Sequence, residues 1–199
     1  MKKIMFQDKF GLTAAILNKT KNQTRRICKK IPFSDPTLIK NVYDHYPNDE
    51  EVDFDRLLSI SPYKLGEVIA IAQSYEEIYY SIPEASRDKN IEQLVNTQGW
   101  HNKMFIRTDL MPHRIKITNI RIEHLQDISD EDCKAEGIDY CGGYSENYYL
   151  GYGVKVNHSW KKLGNSPKEA YANLIDKISG LGTWENNPYV YVYDFELIK

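Results

Sequence analysis

Four stretches of the chain carry helix signals in their pattern of apolar and polar positions. They are residues 10–18, 83–97, 129–137 and 166–180. In the first, apolar residues recur at i, i+4 and i+7, which predicts a helix ending near Asn18. The third begins with Ser129 and an acidic residue three positions later, and the fourth begins with Ser-Pro; both end at a glycine. We therefore predict short capped helices rather than one long one.

Strands are predicted where apolar residues alternate with polar ones. The clearest case is 114–124, in which Ile115, Ile117 and Ile122 define the inner faces and the uneven step between the last two indicates a bulge near Asn119. A closing strand is predicted within 188–198, where the tyrosines Tyr189, Tyr191 and Tyr193 share one face. The shorter apolar run 68–72, after a turn at Gly66, predicts one more strand, and residues 24–27 are interpreted as extended.

The remaining segments lack a clear period. Residues 34–60 contain Pro, Asn and acidic clusters and are interpreted as an inserted loop, and 139–153 hold five tyrosines and four glycines, typical of a loop or irregular hairpin. Separated strands and a few helices, without a regular strand-helix-strand order, favour an α+β fold. The specific expectation is a small mixed β-barrel decorated by helices.

Composition limits the class of protein. A chain of 199 residues with 41% hydrophobic content can bury a core as one domain. No apolar run reaches the roughly 20 residues of a membrane span, so a cytoplasmic protein without a membrane partner is the expectation. Three cysteines without CxxC spacing and five scattered histidines predict neither a metal site nor a disulfide framework. No cofactor is predicted, and the oligomeric state is left open.

Charge is distributed unevenly along the chain. Residues 9–34 contain seven Lys or Arg and no Asp or Glu. Taking these seven from 26 basic residues leaves 19 against 28 acidic ones, so a locally basic segment belongs to an otherwise acidic protein. Such segregation favours either a solvated basic surface or a site for an anionic ligand.

The order and spacing of five segments resemble the ASCH family, in its longer phage- or prophage-encoded branch. These are KTKNQTRR at 19–26, YKLGEVI at 63–69, MPHR at 111–114, ISDEDCKAEGI at 128–138 and WENNPYVYV at 184–192. The resemblance implies a PUA-like barrel built by a single domain over 1–199, with inserted segments near 34–60, 79–100 and 139–165. At Lys19 the family usually has glycine, so this loop is expected to differ in shape.

The resemblance also implies a catalytic set. Some small ASCH proteins are amidohydrolases that cleave N4-acetylcytidine, and their Lys, Thr and Glu fall on Lys21, Thr24 and Glu136. Lys21 is the expected general base, because cations crowd it and lower the pKa of its amine. Thr24 would be the nucleophile and Glu136 would steady the proton. Arg25 or Arg26 can polarise a carbonyl oxygen.

Two other function classes follow from the same residues. The favoured expectation is a binding module whose basic cleft holds RNA, single-stranded nucleic acid or a modified nucleoside. The expected contact residues are Lys19, Arg25, Arg26, Lys29, Arg114, Tyr148, Tyr149 and Trp184. The amidohydrolase is the alternative, and a ribonuclease, an activity assigned to some ASCH members, is the second alternative.

Overall fold

The computed structural model describes residues 1–32, 39–41, 52–84, 92–142 and 150–198, with residues 39–41 described by their backbone only. Its main element is a mixed five-stranded sheet of order β1-β5-β6-β10-β2. The strands are β1 Lys3–Ile4, β2 Gln23–Ile27, β5 Val68–Ile71, β6 Arg114–His124 and β10 Tyr189–Ile198. β1 runs parallel to β5 and the other pairs are antiparallel.

Two small sheets complete the strands. One pairs β3 Lys30–Pro32 with β4 Ile39–Asn41, and the other has the order β7-β8-β9, from β7 Asp139–Tyr140, β8 Tyr152–Val156 and β9 Ser159–Gly164. The helices are α1 Leu12–Leu17, α2 Phe54–Ser59, α3 Tyr75–Ser81, α4 Asp130–Ala135 and α5 Pro167–Ser179. Short 3-10 turns occur at 8–10, 103–105, 108–110 and 125–127. None of the helices in the described ranges is long and apolar enough to cross a membrane.

The two long strands behave as their alternation predicts. β10 lies between β6 and β2, and its tyrosines at 189, 191 and 193 are all buried. The predicted bulge is confirmed: Asp194 pairs with Asn119 and Phe195 with Ile117, so Thr118 is the extra residue. This insertion lets β6 bury Ile115 and Ile117 at one end and continue along β10 at the other.

Predicted helix ends also agree with the structure. Ser129 accepts a hydrogen bond from the backbone N–H of Asp132 at the start of α4, and Ser166 caps α5 in the same way. α5 ends at Gly180, and α1 ends at Asn18. These ends are local in sequence, which is why their positions could be predicted.

Three expectations require correction. The supposed loop 34–60 contains α2, capped by Asp53 and packed on the core through the fully buried Leu57. Helix α3 was missed, although Ser74 and Glu77 form its capping box. The predicted helix 83–97 falls partly on residues 85–91, outside the described part, and 93–96 are turns. Within the predicted loop or irregular hairpin 139–153, the described residues form the antiparallel pair β7–β8, and β8–β9 is a second hairpin with a register shift at Tyr152.

The fold class α+β is confirmed, but the main sheet is not a closed barrel. Among the described residues, β1 and β2 are its two edge strands and do not pair with each other. The main hydrophobic core lies between this sheet, α1, α4 and α5. A second buried cluster surrounds Tyr75 and Trp100 beside α3.

Candidate functional site

The site is built where the chain passes from α1 into β2. Residues 18–20 turn the chain at the end of α1, and Lys19 adopts φ +61° within that turn. This is the left-handed region that favours glycine. Lys19 therefore takes up a glycine-like backbone conformation, and the expectation that a lysine here changes the shape of the loop finds no support.

Lys21 is buried in this turn and bonds to α4. Its ammonium donates to the backbone oxygens of Gln23 at 2.7 Å and Glu136 at 2.8 Å, and to Oε2 of Glu136 at 2.5 Å. The side chain of Lys21 is 1% exposed and that of Glu136 is 6% exposed. The structure thus joins two predicted residues that are 115 positions apart in the chain.

Gly137 follows the glutamate in a left-handed conformation. Its φ is +98°, which favours glycine, whereas a Cβ at this position would make only ordinary contacts with Lys21 and Ala15. The left-handed backbone ends α4 directly after Glu136, so the carboxylate is held beside the lysine. The glycine that marks the end of the helix in the sequence also positions the site.

Thr24 lies with Lys21 and Glu136 on one cavity of about 350 Å³. The hydroxyl of Thr24 has no hydrogen-bond partner within the described ranges, although the residue is only 4% exposed. The apolar wall of the cavity is formed by Phe6, Leu12, Ile27, Tyr171, Leu174, Ile175, Ile178 and Val190. The three predicted catalytic residues therefore face a single small, largely apolar space.

Burial dominates the electrostatics of Lys21. Desolvation lowers the pKa of its amine below the ordinary value of 10.5, and the nearby cations Arg26 and Arg25 act in the same direction. The Glu136 carboxylate opposes this shift but does not cancel it. The neutral amine is therefore accessible at a lower pH than for a solvated lysine.

Arg25 also lines the cavity, where an ion-pair network holds its guanidinium. Its Nη2 lies 2.5 Å from Oε1 of Glu123 and 2.7 Å from Oδ2 of Asp132, and its side chain is fully buried. Gln23 accepts a further hydrogen bond from its Nη1. Arg121 also binds Asp132, at 2.6 Å. A phosphate could bind Arg25 only by displacing these carboxylates, which corrects its interpretation as an open phosphate contact.

Arg26 points to the same side of β2 as Thr24, because side chains alternate along a strand. Its guanidinium lies 5.3 Å from the ring centre of Phe6, and Nη2 donates to the backbone oxygen of Met5 at 2.8 Å. Its Nε is buried and has no partner in the part of the chain that is described. On the same cavity, Oε1 of Glu136 is likewise buried without a hydrogen bond. Two residues on the cavity thus carry a buried polar atom without a hydrogen bond, and Oε1 of Glu136 has Nη1 of Arg25 at 3.6 Å as an ion-pair partner.

The other predicted contact residues do not gather at this cavity. Lys29 lies on its rim, and Lys19 is exposed in the preceding turn. Arg114 is seven positions along β6 from Arg121, roughly 23 Å away at the rise of a strand. Trp184 lines a different groove, with Lys168 6.0 Å from its ring. Tyr148 and Tyr149 lie outside the described residues.

Three neighbours of the site were not predicted as site residues. Tyr171 is fully buried on the cavity wall, and burial raises the pKa of its hydroxyl. Asp132 looked like a helix-capping residue and is an ion-pair partner instead, while Gln23 connects it to Arg25. All three act through contacts between distant segments of the chain. Motifs defined by the spacing of nearby residues carry no information about such contacts.

The cysteines stand apart from this chemistry. All three are free and buried, and burial raises the pKa of Cys133 to about 12. A thiol with such a pKa is a poor nucleophile at neutral pH. Within the described ranges, no group of three His, Cys, Asp or Glu residues can hold a metal ion.

Comparison with known proteins found no relative of this chain. No protein-family model matches the chain, and neither a curated protein nor a solved structure matches it. The candidate function therefore rests on the geometry and on the resemblance of the motifs.

Proposed function

We propose that the protein is a hydrolase that cleaves the amide bond of a small acylated nucleoside or base, of the N4-acetylcytidine type. One observation carries the proposal: a buried lysine with a lowered pKa is bonded to a glutamate, beside an unbonded threonine hydroxyl on one small cavity. We also propose that the chain is an ASCH protein with a PUA-like fold. The motif order supports this relationship.

The residues supply the minimal set for acyl transfer. In its neutral form, Lys21 accepts the proton of the Thr24 hydroxyl as Oγ1 attacks the substrate carbonyl. Glu136 receives the proton that Lys21 must lose beforehand, along their 2.5 Å hydrogen bond. As the C–N bond breaks, the protonated Lys21 returns a proton to the leaving amine, and the acyl group stays on Thr24. Water then hydrolyses that ester and restores the hydroxyl.

The donor Nε of Arg26 and the acceptor Oε1 of Glu136, neither of which has a hydrogen bond, match the C=O and N–H groups of an amide. The Nε of Arg26 can donate to the carbonyl oxygen and stabilise its developing negative charge, while Oε1 of Glu136 can accept an N–H of the substrate. A buried polar group without a partner costs about 1–3 kcal/mol. Binding an amide between these two atoms would recover that cost.

The volume favours a small substrate. Ligand pockets span about 300–1,000 Å³, and this cavity of about 350 Å³ lies near the lower limit. Its walls carry the rings of Phe6 and Tyr171, against which a planar base can pack. The rim cations Arg26 and Lys29 also favour a phosphorylated nucleotide, so binding without hydrolysis is the second candidate function.

The test is release of acetate from N4-acetylcytidine, with cytidine quantified by chromatography. We expect Thr24→Val and Lys21→Arg each to lower kcat/KM by about 10²- to 10⁴-fold, since the first lacks the nucleophile and the second cannot lose its proton. Matched controls are Thr20→Val, in the turn before β2, and Lys29→Arg, on the rim; both should stay within about threefold of wild type.

Two results separate the candidates. An acetyl group found on Thr24 by mass spectrometry of rapidly quenched enzyme would support the covalent step. If wild type releases no cytidine above the rate without enzyme, the hydrolase is rejected. Saturable binding of a cytidine nucleotide by that inactive protein, lost in Arg26→Met, would then favour the binding function.

A further inference from the structure

A second part of the chain is basic and has no acidic residue. Residues 147–168 contain Lys155, Lys161, Lys162 and Lys168 but no Asp or Glu. Three of these lysines lie on the hairpin β8–β9. The charge in this segment is therefore concentrated on one compact element, outside the cavity described above.

The hairpin is tightly turned. Val156 pairs with Ser159, so the loop has only two residues, Asn157 at φ +47° and His158 at φ +68°. Positive φ at both positions is the signature of a type I′ turn, whose twist matches that of the strands. On one side of the hairpin, Lys161 lies 4.9 Å from the ring centre of the buried Phe10. The hairpin thus packs against the core through one face, and the tight turn orients the side chains on its other face.

Trp160 stands on the outer side of this hairpin. It pairs directly with Lys155, and the residue is 39% exposed. It lines two grooves, of about 750 Å³ and 520 Å³. A partly exposed indole that borders two grooves is available to stack against a planar group.

The lysines around Trp160 are available to a ligand. Lys134 and Lys155 line the larger groove and Lys162 the smaller one. All three are exposed, and within the described ranges none has an ion-pair partner. Acidic residues occur at the groove margins, as Asp139 in the larger groove and Glu169 in the smaller. The Glu169 carboxylate accepts the backbone N–H of Asn165 at 2.8 Å.

We propose that this hairpin surface binds single-stranded nucleic acid. An unpaired base stacks on Trp160, and the phosphates on either side of it contact Lys155 and Lys162. Stacking on an exposed aromatic ring combined with cations along the backbone is how single strands are bound without sequence preference. A duplex keeps its bases stacked inside, so it can use only the lysines.

The proposal is independent of the hydrolase. It concerns residues that do not line the Lys21 cavity, and it holds whether or not the protein cleaves an amide. If both are correct, hydrolysis of the free nucleoside does not depend on Trp160. The two proposals can therefore fail separately.

The experiment is fluorescence anisotropy of a labelled 12-nucleotide single strand, as RNA and as DNA, titrated with the full chain at several salt concentrations. For the two phosphate contacts at Lys155 and Lys162 we expect log K to fall with log salt with a slope of about −1.4. Trp160→Ala should weaken binding at least about fivefold, whereas Trp160→Phe should retain most of it. Lys155→Glu with Lys162→Glu should weaken it more, and the duplex should bind more weakly than the single strand.

Lys177→Glu is the matched control for charge, because it reverses an exposed lysine near the end of α5, away from Trp160. It should stay within about twofold of wild type, and thermal melting should show that every variant is folded. Equal binding by wild type and Trp160→Ala overturns the proposal, as does equal binding of single strand and duplex. Binding of vesicles that contain phosphatidylserine, without binding of the oligonucleotides, would overturn it in favour of a membrane surface.

Discussion

Replacement of Lys21 by methionine tests whether the buried pair with Glu136 stabilises the fold. Methionine keeps the length of the side chain and removes its charge, which leaves a carboxylate that is 5% exposed without its closest cation. Breaking a buried pair by removing one partner costs about 3–5 kcal/mol. Nη1 of Arg25 lies 3.6 Å from Oε1 of Glu136 and supplies partial compensation. We therefore expect a loss of about 3 kcal/mol.

The assay is urea unfolding, with the midpoint of thermal unfolding as a second measure. For a chain of this size, about 3 kcal/mol corresponds to a decrease in Tm of roughly 6–12 °C. Lys21→Met combined with Glu136→Gln should recover at least half of the loss, because the unpaired buried charge is then absent. A single Lys21→Met variant within about 1 kcal/mol of wild type would refute the reasoning, as would a double variant less stable than the single one.

Three further predictions concern stability. Lys21 has a lowered pKa in the folded state, so wild type should gain stability as the pH rises from that pKa towards 10.5, and Lys21→Met should lack this gain in alkaline urea titrations. Burial opposes ionisation of Asp132, but hydrogen bonds from Gln23 and Arg25 outweigh burial and lower the pKa of its carboxyl. The resulting stability is present above the ordinary pKa of 3.8 and is lost as the pH falls. Asp132→Asn should therefore make the free energy of unfolding depend less on pH in acid. Lys19 has φ +61°, so Lys19→Val should cost about 1–2 kcal/mol in urea and Lys19→Gly should cost nothing; equal stability of the two would contradict a strained turn.

Matching of sequence motifs predicted the three candidate catalytic residues of the site, but it did not predict the ion-pair partners of Arg25. Lys21, Thr24 and Glu136 were named in advance, and the structure places all three on one cavity. Arg25 was assigned to an open basic surface because seven cations without a carboxylate are adjacent in sequence. Glu123 and Asp132, about a hundred positions later, neutralise it instead. Local charge counting cannot include partners that only folding brings close.

By itself, the sequence determined the elements whose causes are local. The caps at Ser129 and Ser166, the alternation of β6 and its bulge at Thr118 depend on neighbouring residues, so their signals lie within a few positions. The two-residue turn at Asn157 belongs to the same class, although its signal was overlooked.

Only the tertiary structure decided the order of the strands, the open edges of the sheet, the burial of Lys21 and the partners of Arg25. These depend on contacts such as that between Lys21 and Glu136, which spans 115 positions. The pKa of Lys21 illustrates the reason. A lysine in a basic stretch of sequence is solvated by default, and its amine becomes a base only when the surrounding chain removes water from it and holds the cations Arg26 and Arg25 nearby, against the opposing effect of Glu136.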